Sequence, residues 1–225
     1  MRQGASDSFL GPQDPITVPS EAAAAAWGLD VEAGLAVVTA DVAMGASTAQ
    51  ALDRVRLLML VHGVPLRHLL QRELALGLGD VQGKPGPAFT PVAITLDALT
   101  FGGDSAWQDG RVHVSLQSSW NGRRAGLVDA GCQMASGFGE LIAHVCRTRR
   151  LGAGSVIGSG AISSQGSQQG YSGTTEKQAR EAPENGEPIR PCMALGDTVR
   201  VEAKGKNGES LFGAMAQTVA LTAPV

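Results

Sequence analysis

The sequence predicts a mixed α+β fold that is rich in β-structure and contains a few short helices. The 225 residues include 30 glycines and 11 prolines, a turn-rich composition that favours strands over a helical bundle. Alternating residues flank Asn121-Gly122, a pair typical of the type I′ turn of a β-hairpin. The regular strand-helix alternation of a doubly wound fold is missing. A chain of this length, 43% hydrophobic, is long enough to bury a sizeable core.

The first part of the chain is predicted to contain two strands and a short helix. Residues 1–20, rich in Gly, Ser, Asp and Pro, are expected to be an irregular N-terminal segment, and residues 21–225 form the main domain. The run "EAAAAA" is either a short helical turn or a linker. The stretch "LDVEAGLAVVTA" alternates and then becomes continuously apolar, as a strand does. Ser47 and Thr48 are N-cap candidates for a helix that leads into the buried strand "RLLMLV".

The second part is predicted to contain two hairpins, one helix and two long loops. Residues 80–91 form a loop punctuated by Gly and Pro, and residues 165–188 form a long polar segment. The hairpins turn at Asn121-Gly122 and at Asn207-Gly208. Between them, apolar residues at helical spacing predict a helix that ends at Gly152, followed by the Gly-rich strand "SVIGSGAISS". The helical positions are Phe138, Leu141, Ile142 and Val145.

Composition and charge exclude several classes of partner. A net charge of −3 without a basic stripe argues against nucleic acid and against an anionic membrane surface. The first residues lack the apolar core of a signal peptide, and no apolar run is long enough to span a bilayer. A cytoplasmic protein is therefore expected.

The sequence shows neither a disulfide framework nor a common nucleotide motif. Cys132, Cys146 and Cys192 are widely spaced and odd in number, which is typical of buried thiols that fill the core in a reducing compartment. The four histidines have no zinc-ligand spacing with them. "GLGDVQGK" lacks the Ser or Thr of a phosphate loop, and "GAGSVIGSG" is a poor dinucleotide fingerprint.

Seven segments, in order along essentially the whole chain, resemble the fumarylacetoacetate hydrolase family. They are "FLGPQDPI", "DVEAGLAVVTADVAMG", "RLLMLVHGVPLRHLL", "QGKPGPAFTPVAIT", "ELIAHVCRTRRLGAGSVIGSG", "GYSGTTEKQ" and "LGDTVRVEAKGKNGESLFGAMAQTV". The resemblance implies the β-roll of the family's catalytic domain, a homodimer, and hydrolysis of carbon–carbon bonds in acylpyruvates or other diketo acids. It also implies that the family's N-terminal region, with its catalytic histidine, would lie upstream of Met1.

The resemblance further implies a divalent cation, Mg²⁺, Ca²⁺ or Mn²⁺, held by a Glu-x-Glu pair and an aspartate. Carboxylates two residues apart on a strand share one face, roughly 6 to 7 Å apart, and both can reach one ion. The ion stabilises the enolate that cleavage produces. Glu32 matches the first glutamate, but Gly34 and Gly63 stand at the positions of the second glutamate and the aspartate. Metal binding is therefore expected to be lost or severely weakened.

Other family positions are retained. By resemblance, Lys84 and Glu176 are the candidate catalytic residues, Glu176 as the partner of the attacking water. Arg67, Gln82 and Tyr171 are the candidate substrate-binding residues, whereas Ala161 replaces a threonine that contacts substrate in relatives.

Structural roles compete with these functional ones. Glu32 could be an exposed strand residue, Lys84 a solvated loop residue, and Arg67 a partner in a structural ion pair. Asp30 is a poor stand-in for Gly34 because it lies on the other side of Glu32.

His62 is expected to be an ordinary buried histidine rather than a replacement ligand, because adjacent strand residues face opposite ways. Three hypotheses follow. The chain is a hydrolase with weakened or absent activity, a non-catalytic binding or interaction protein that forms a dimer and keeps the cavity but not the ion, or a truncated or degenerate copy.

Overall fold

The structure, a computed structural model, describes residues 1–101, 104–132, 134–163, 172–173 and 192–223. Within these ranges the chain forms two larger β-sheets, two two-stranded ribbons and four α-helices. The helices are α1 (Glu21–Trp27), α2 (Thr48–Leu52), α3 (Arg67–Ala75) and α4 (Phe138–Cys146), with a 3₁₀ turn at Asp97–Leu99. The strands are β1 (Ile16–Val18), β2 (Glu32–Thr39), β3 (Val55–Gly63), β4 (Ala88–Phe89), β5 (Thr100–Phe101), β6 (Asp104–Ser105), β7 (Trp107–Gln108), β8 (Arg111–Val112), β9 (Ser115–Trp120), β10 (Arg123–Asp129), β11 (Val156–Gly158), β12 (Thr198–Lys204) and β13 (Ser210–Leu221).

The larger of the two main sheets is mixed, as the sequence predicts. The five-stranded sheet has the order β1-β13-β12-β9-β10, and only its β1–β13 pair is parallel. The four-stranded sheet has the order β11-β2-β3-β4 and is antiparallel throughout. The strand β1 lies within the segment predicted to be irregular, and its pairing with β13 ties that segment to the domain.

The core lies where β3 faces β12 and β13 of the other sheet. Apolar side chains with 0% exposure fill it, among them Leu58 and Leu60 from β3, Val201 from β12, and Phe212 and Met215 from β13. Burial of this kind stabilises the fold by about 2 kcal/mol per large side chain. The strand β3 packs in this core and pairs with β2, and the candidate site lies where β2 begins, at Glu32, and β3 ends, at Gly63.

The helices agree with the predictions in part. The run "EAAAAA" is helical, with Ser20 as its N-cap and Gly28 in the left-handed conformation at its end. Ser47 caps α2 through a capping box with Gln50. The helix α3 was not individually predicted. The prediction that the next helix reaches Gly152 is wrong: α4 ends at Cys146 because Leu151 pairs with Val42 in an extended bridge.

Both predicted hairpins are present. Asn121 and Gly122 have φ values of 50° and 72°, which confirms the type I′ turn between β9 and β10. The second hairpin joins β12 and β13, with Gly208 at φ 82°.

The cysteines are only partly as expected. All three are free, but Cys146 is the one that is buried; Cys132 is exposed and Cys192 is half-buried, so the expectation that all three fill the core is wrong. Within the described residues, no helix has both the length and the apolar character needed to cross a membrane.

Candidate active site

Backbone pairing between two loops brings Asp30 and Arg67 together. The left-handed Gly28 ends α1 and turns the chain alongside the segment that precedes α3. The Asp30 amide donates to the Pro65 carbonyl at 3.1 Å, and the Arg67 amide donates to the Gly28 carbonyl at 2.8 Å. Arg67 is the first residue of α3, so its side chain is anchored at a helix end.

Asp30 and Arg67 form a close ion pair. The Arg67 Nε and Nη2 atoms lie 2.8 Å and 2.7 Å from Oδ2 of Asp30. The other carboxylate oxygen, Oδ1, accepts the Val31 amide at 2.8 Å. Asp30 is 1% exposed, and both of its oxygens are therefore satisfied within the protein. The structural role considered for Arg67 is real.

Glu32 extends this pair to a second cation. Lys84 Nζ lies 2.7 Å from Oε2 of Glu32, and Arg67 Nη2 lies 3.6 Å from Oε1. We call Asp30, Glu32, Arg67 and Lys84 the four-charge cluster; its formal charges cancel. The side chains of Glu32, Lys84 and Arg67 are 17%, 21% and 25% exposed, so a small solute can reach them. Neither a freely exposed Glu32 nor a fully solvated Lys84 describes this arrangement.

Gly34 is closed off by the neighbouring backbone. A Cβ atom at this position would collide with the carbonyl oxygen of Gly160 and lie 2.9 Å from Oγ of Ser159. The turn that carries these atoms is fixed to β2, because the Leu35 amide donates to Ser159 Oγ at 3.1 Å and the Ser159 amide donates to the Leu35 carbonyl at 2.8 Å. A backbone carbonyl therefore occupies the space that a side chain at position 34 would need.

Gly63 is open by contrast. It pairs directly with Glu32 across β2 and β3. A Cβ atom here would meet nothing closer than Oε2 of Glu32, at 3.6 Å. An aspartate at position 63 would therefore bring its carboxylate next to Glu32, as the resemblance requires.

The described residues do not fit the divalent cation that the resemblance implies. Glu32 is engaged by Lys84 and Arg67, Asp30 is saturated, and the two glycines supply no side-chain oxygen. A hard cation needs several oxygen ligands and a surplus of negative charge. Among the residues that the structure describes, no three His, Cys, Asp or Glu side chains are grouped to hold a metal.

His62 points away from the cluster, as expected from strand alternation. It is 1% exposed, and its Nδ1 lies 2.8 Å from Oε1 of Gln217. The Gln217 Nε2 group donates to the Asp14 carbonyl at 2.8 Å. Burial lowers the pKa of His62 below its ordinary 6.5, although the Gln217 contact and the charges of Asp30 and Glu32 oppose the shift. The imidazole is therefore a neutral link between the sheets.

The functional setting of two residues near the cluster is not predicted from the sequence. Asp30 is rejected there as a metal ligand, yet it is the main partner of Arg67. Its position two residues before Glu32 was the signal that could have indicated this. Cys192 lies within electrostatic range of Asp30 and Arg67, and burial, with Asp30 second, raises the pKa of its thiol. A raised pKa makes it a poor nucleophile at neutral pH. Nothing in the sequence indicated its position.

The remaining predicted residues are not part of the cluster as described. The Gln82 side chain is exposed, and its backbone amide binds Glu73 rather than the cluster. Tyr171 and Glu176 lie outside the described residues. Ala161 lines a cavity of about 360 Å³ between the turn after β11 and the start of α4, and none of the four cluster residues is among its described lining.

The sequence profile described as fumarylacetoacetate (FAA) hydrolase C-terminal matches residues 2–220. The chain belongs to the fumarylacetoacetate hydrolase family. No curated protein sequence matches the chain.

Solved structures of the family have the same fold. A fumarylacetoacetate hydrolase from the psychrophilic Exiguobacterium antarcticum is 20% identical with a TM-score of 0.69, over 97% of this chain and 65% of that chain. A 5-carboxymethyl-2-hydroxymuconate delta-isomerase from Mycobacterium smegmatis is 18% identical with a TM-score of 0.59, over 95% and 66% of the two chains. A 2-hydroxyhepta-2,4-diene-1,7-dioate isomerase from Mycobacterium marinum is 18% identical with a TM-score of 0.59, over 96% and 66%. The chain thus spans about two thirds of the length of these relatives.

Proposed function

We propose that this chain binds a small keto acid at the four-charge cluster and has lost most of the family's metal-dependent carbon–carbon bond cleavage. The observation that carries the proposal is the contact of 2.7 Å between Lys84 Nζ and Oε2 of Glu32. An ammonium group at this distance satisfies the charge of Glu32 and takes the space that a cation bound to that oxygen would need. Glu32 then serves to hold a lysine rather than a metal.

Lys84 is the group best placed to receive a ligand. An ammonium has three N–H donors, and within the described chain Glu32 accepts one of them. The other two can donate to a carboxylate or keto oxygen. Because the cluster has no formal surplus of positive charge, we expect modest affinity, with a Kd of about 1 mM, or about 4 kcal/mol of binding free energy.

Cleavage at this site should be slow for an electrostatic reason. Breaking the carbon–carbon bond of a diketo acid leaves an enolate, which needs strong positive charge beside its oxygens. A divalent cation supplies two charges in direct contact, whereas Lys84 supplies one that it shares with Glu32. The alternative function is residual hydrolase or isomerase activity, since structures with this fold carry both names.

Calorimetry and an activity assay test the proposal together. Pyruvate and acetylpyruvate should bind the natural chain without added metal, and Lys84→Met should abolish the binding. Lys206→Met removes the same charge from an exposed turn and should leave the binding unchanged. Mg²⁺ and Mn²⁺ should give no saturable heat at micromolar concentrations. Micromolar metal binding with turnover of acetylpyruvate would establish the hydrolase alternative, and unchanged pyruvate binding in Lys84→Met would refute the role of Lys84.

Restoring one carboxylate tests whether the family positions converge here. Gly63→Asp, combined with Lys84→Met, should raise Mn²⁺ affinity by at least about tenfold, because two carboxylates would then face one space. Gly79→Asp adds the same charge at an open loop position and serves as the matched control in the same Lys84→Met background. Equal Mn²⁺ affinity in the two variants would show that position 63 does not contribute to this space.

The proposal includes the homodimer that the resemblance implies. Light scattering coupled to size-exclusion chromatography should give twice the chain mass of 23.1 kDa. A monomer at micromolar concentration would contradict this part alone.

A further inference from the structure

Glu73 is a buried carboxylate on α3 whose partners are backbone amides. It is 7% exposed, Oε1 accepts the Gln82 amide at 2.8 Å, and Oε2 accepts the Gly83 amide at 2.9 Å. No lysine or arginine of the described residues pairs with it. The hydrogen bonds from Gln82 and then Gly83 lower the pKa of Glu73 below its ordinary value. An acidic side chain so placed holds the loop in one conformation.

Gly83 makes three contacts with α3 and its N-cap residue, Leu66. Besides its amide bond to Glu73, its carbonyl accepts the Leu66 amide at 2.9 Å. Its α-carbon packs on the helix so closely that a Cβ atom would lie 2.7 Å from the Cα of Leu70. Only glycine fits here for reasons of space, and the residue after it is Lys84. These contacts fix the loop at Gly83, the residue immediately before Lys84 of the cluster.

The same helix therefore places both cations. Arg67 is the first residue of α3 and reaches Asp30 directly, whereas Lys84 reaches Glu32 from the loop that Glu73 clamps. We infer that Glu73 is a positioning residue, which fixes the loop so that the Lys84 ammonium stands at Oε2 of Glu32. Its effect on ligand binding rests on the proposed function, but its effect on Lys84 does not.

Glu73→Gln is the discriminating substitution. A glutamine presents one acceptor and one NH₂ donor, so at least one of the two loop amides loses its partner while the size of the side chain is preserved. Glu140→Gln is a matched control, because the Glu140 carboxylate also accepts a backbone amide, from Gly137 at 2.8 Å, but on α4 and away from Lys84.

The readout is the ¹⁵N-labelled lysine ammonium resonance, which is tractable because the sequence contains four lysines. In the natural chain and in Glu140→Gln, Lys84→Met should delete one resonance that differs from that of Lys206, which is exposed. In Glu73→Gln the Lys84 resonance should broaden or move toward that of Lys206, and pyruvate affinity should fall by about tenfold through lost preorganisation. A folded Glu73→Gln variant with an unchanged Lys84 resonance would overturn the inference.

A measurement on the natural chain covers the case in which the variant does not fold. The Gln82 and Gly83 amides should exchange with deuterium more slowly than the amide of the exposed loop residue Gly79. Equal rates would overturn the inference. If the Lys84 resonance moves in Glu73→Gln but the natural chain binds no pyruvate, the positioning role stands and the proposed function fails.

Discussion

Gly34 and Gly63 look equivalent in the sequence, but their surroundings in the structure differ. Each stands where the family resemblance expects a metal-binding carboxylate, and the two lie on neighbouring strands, β2 and β3. Gly34 is covered by the Gly160 carbonyl and Ser159, whereas Gly63 faces open space beside Glu32. The turn after β11 therefore fills the space beside Gly34, whereas no neighbouring segment fills the space beside Gly63. A missing ligand is therefore easy to restore only where the neighbours have not filled its place.

The largest expected effect is that of a methyl group added at Gly34, compared with the same change at Gly63. Gly34→Ala should lower the free energy of unfolding by about 2 kcal/mol, because its Cβ meets backbone atoms that β2 holds in place. Gly63→Ala should change it by less than about 0.5 kcal/mol. Urea denaturation of both variants measures the difference, and equal losses of stability would break the comparison.

An intermediate effect is expected from pH at His62, the neighbour of Gly63 on the opposite face of β3. Burial lowers the pKa of His62 in the folded state below 6.5, so below pH 6.5 the unfolded chain binds a proton that the folded chain does not. The free energy of unfolding should hold its full His62 contribution above pH 6.5. It should then fall with acidification, by up to about 1.4 kcal/mol per pH unit, until the folded-state pKa is reached.

Denaturation curves between pH 5 and 8 isolate this contribution. His62→Gln should flatten the decline, whereas His144→Gln, on the exposed side of α4, should leave it in place. The same slope in the natural chain and in His62→Gln would show that His62 does not set the pH dependence.

The smallest expected effect is that of the ion pair beside Gly63. Glu32→Ala should lower the free energy of unfolding by about 1 kcal/mol or less, since Lys84 and Glu32 remain partly exposed and Arg67 keeps its stronger contact with Asp30. Added salt should reduce the difference between Glu32→Ala and the natural chain. If the free energy of unfolding fell by several kcal/mol, the cluster would stabilise the fold far more than its partial exposure predicts.

Much of the fold could be predicted from local patterns. The type I′ turn at Asn121-Gly122 requires residues that accept positive φ, and the Ser47 cap requires a side-chain oxygen beside free helix amides, so both are readable from a few residues. The end of α4 was not readable in this way, because the bridge between Leu151 and Val42 joins residues more than a hundred positions apart. The family resemblance located Glu32, Arg67 and Lys84, but it did not say what they contact.

By itself, the sequence determined which side chains are present: a carboxylate at Glu32, and glycine at positions 34 and 63, where the family resemblance expects two more carboxylates. It also determined that His62 and Gly63 face opposite ways, because strand geometry alternates the faces of successive residues. Only the tertiary structure decided that Gly160 closes the position of Gly34, that Asp30 holds Arg67, and that Glu73 holds the loop of Lys84. Each of these contacts joins groups that are distant in the chain but lie within hydrogen-bonding or van der Waals distance in the fold. A local sequence pattern carries no information about such contacts.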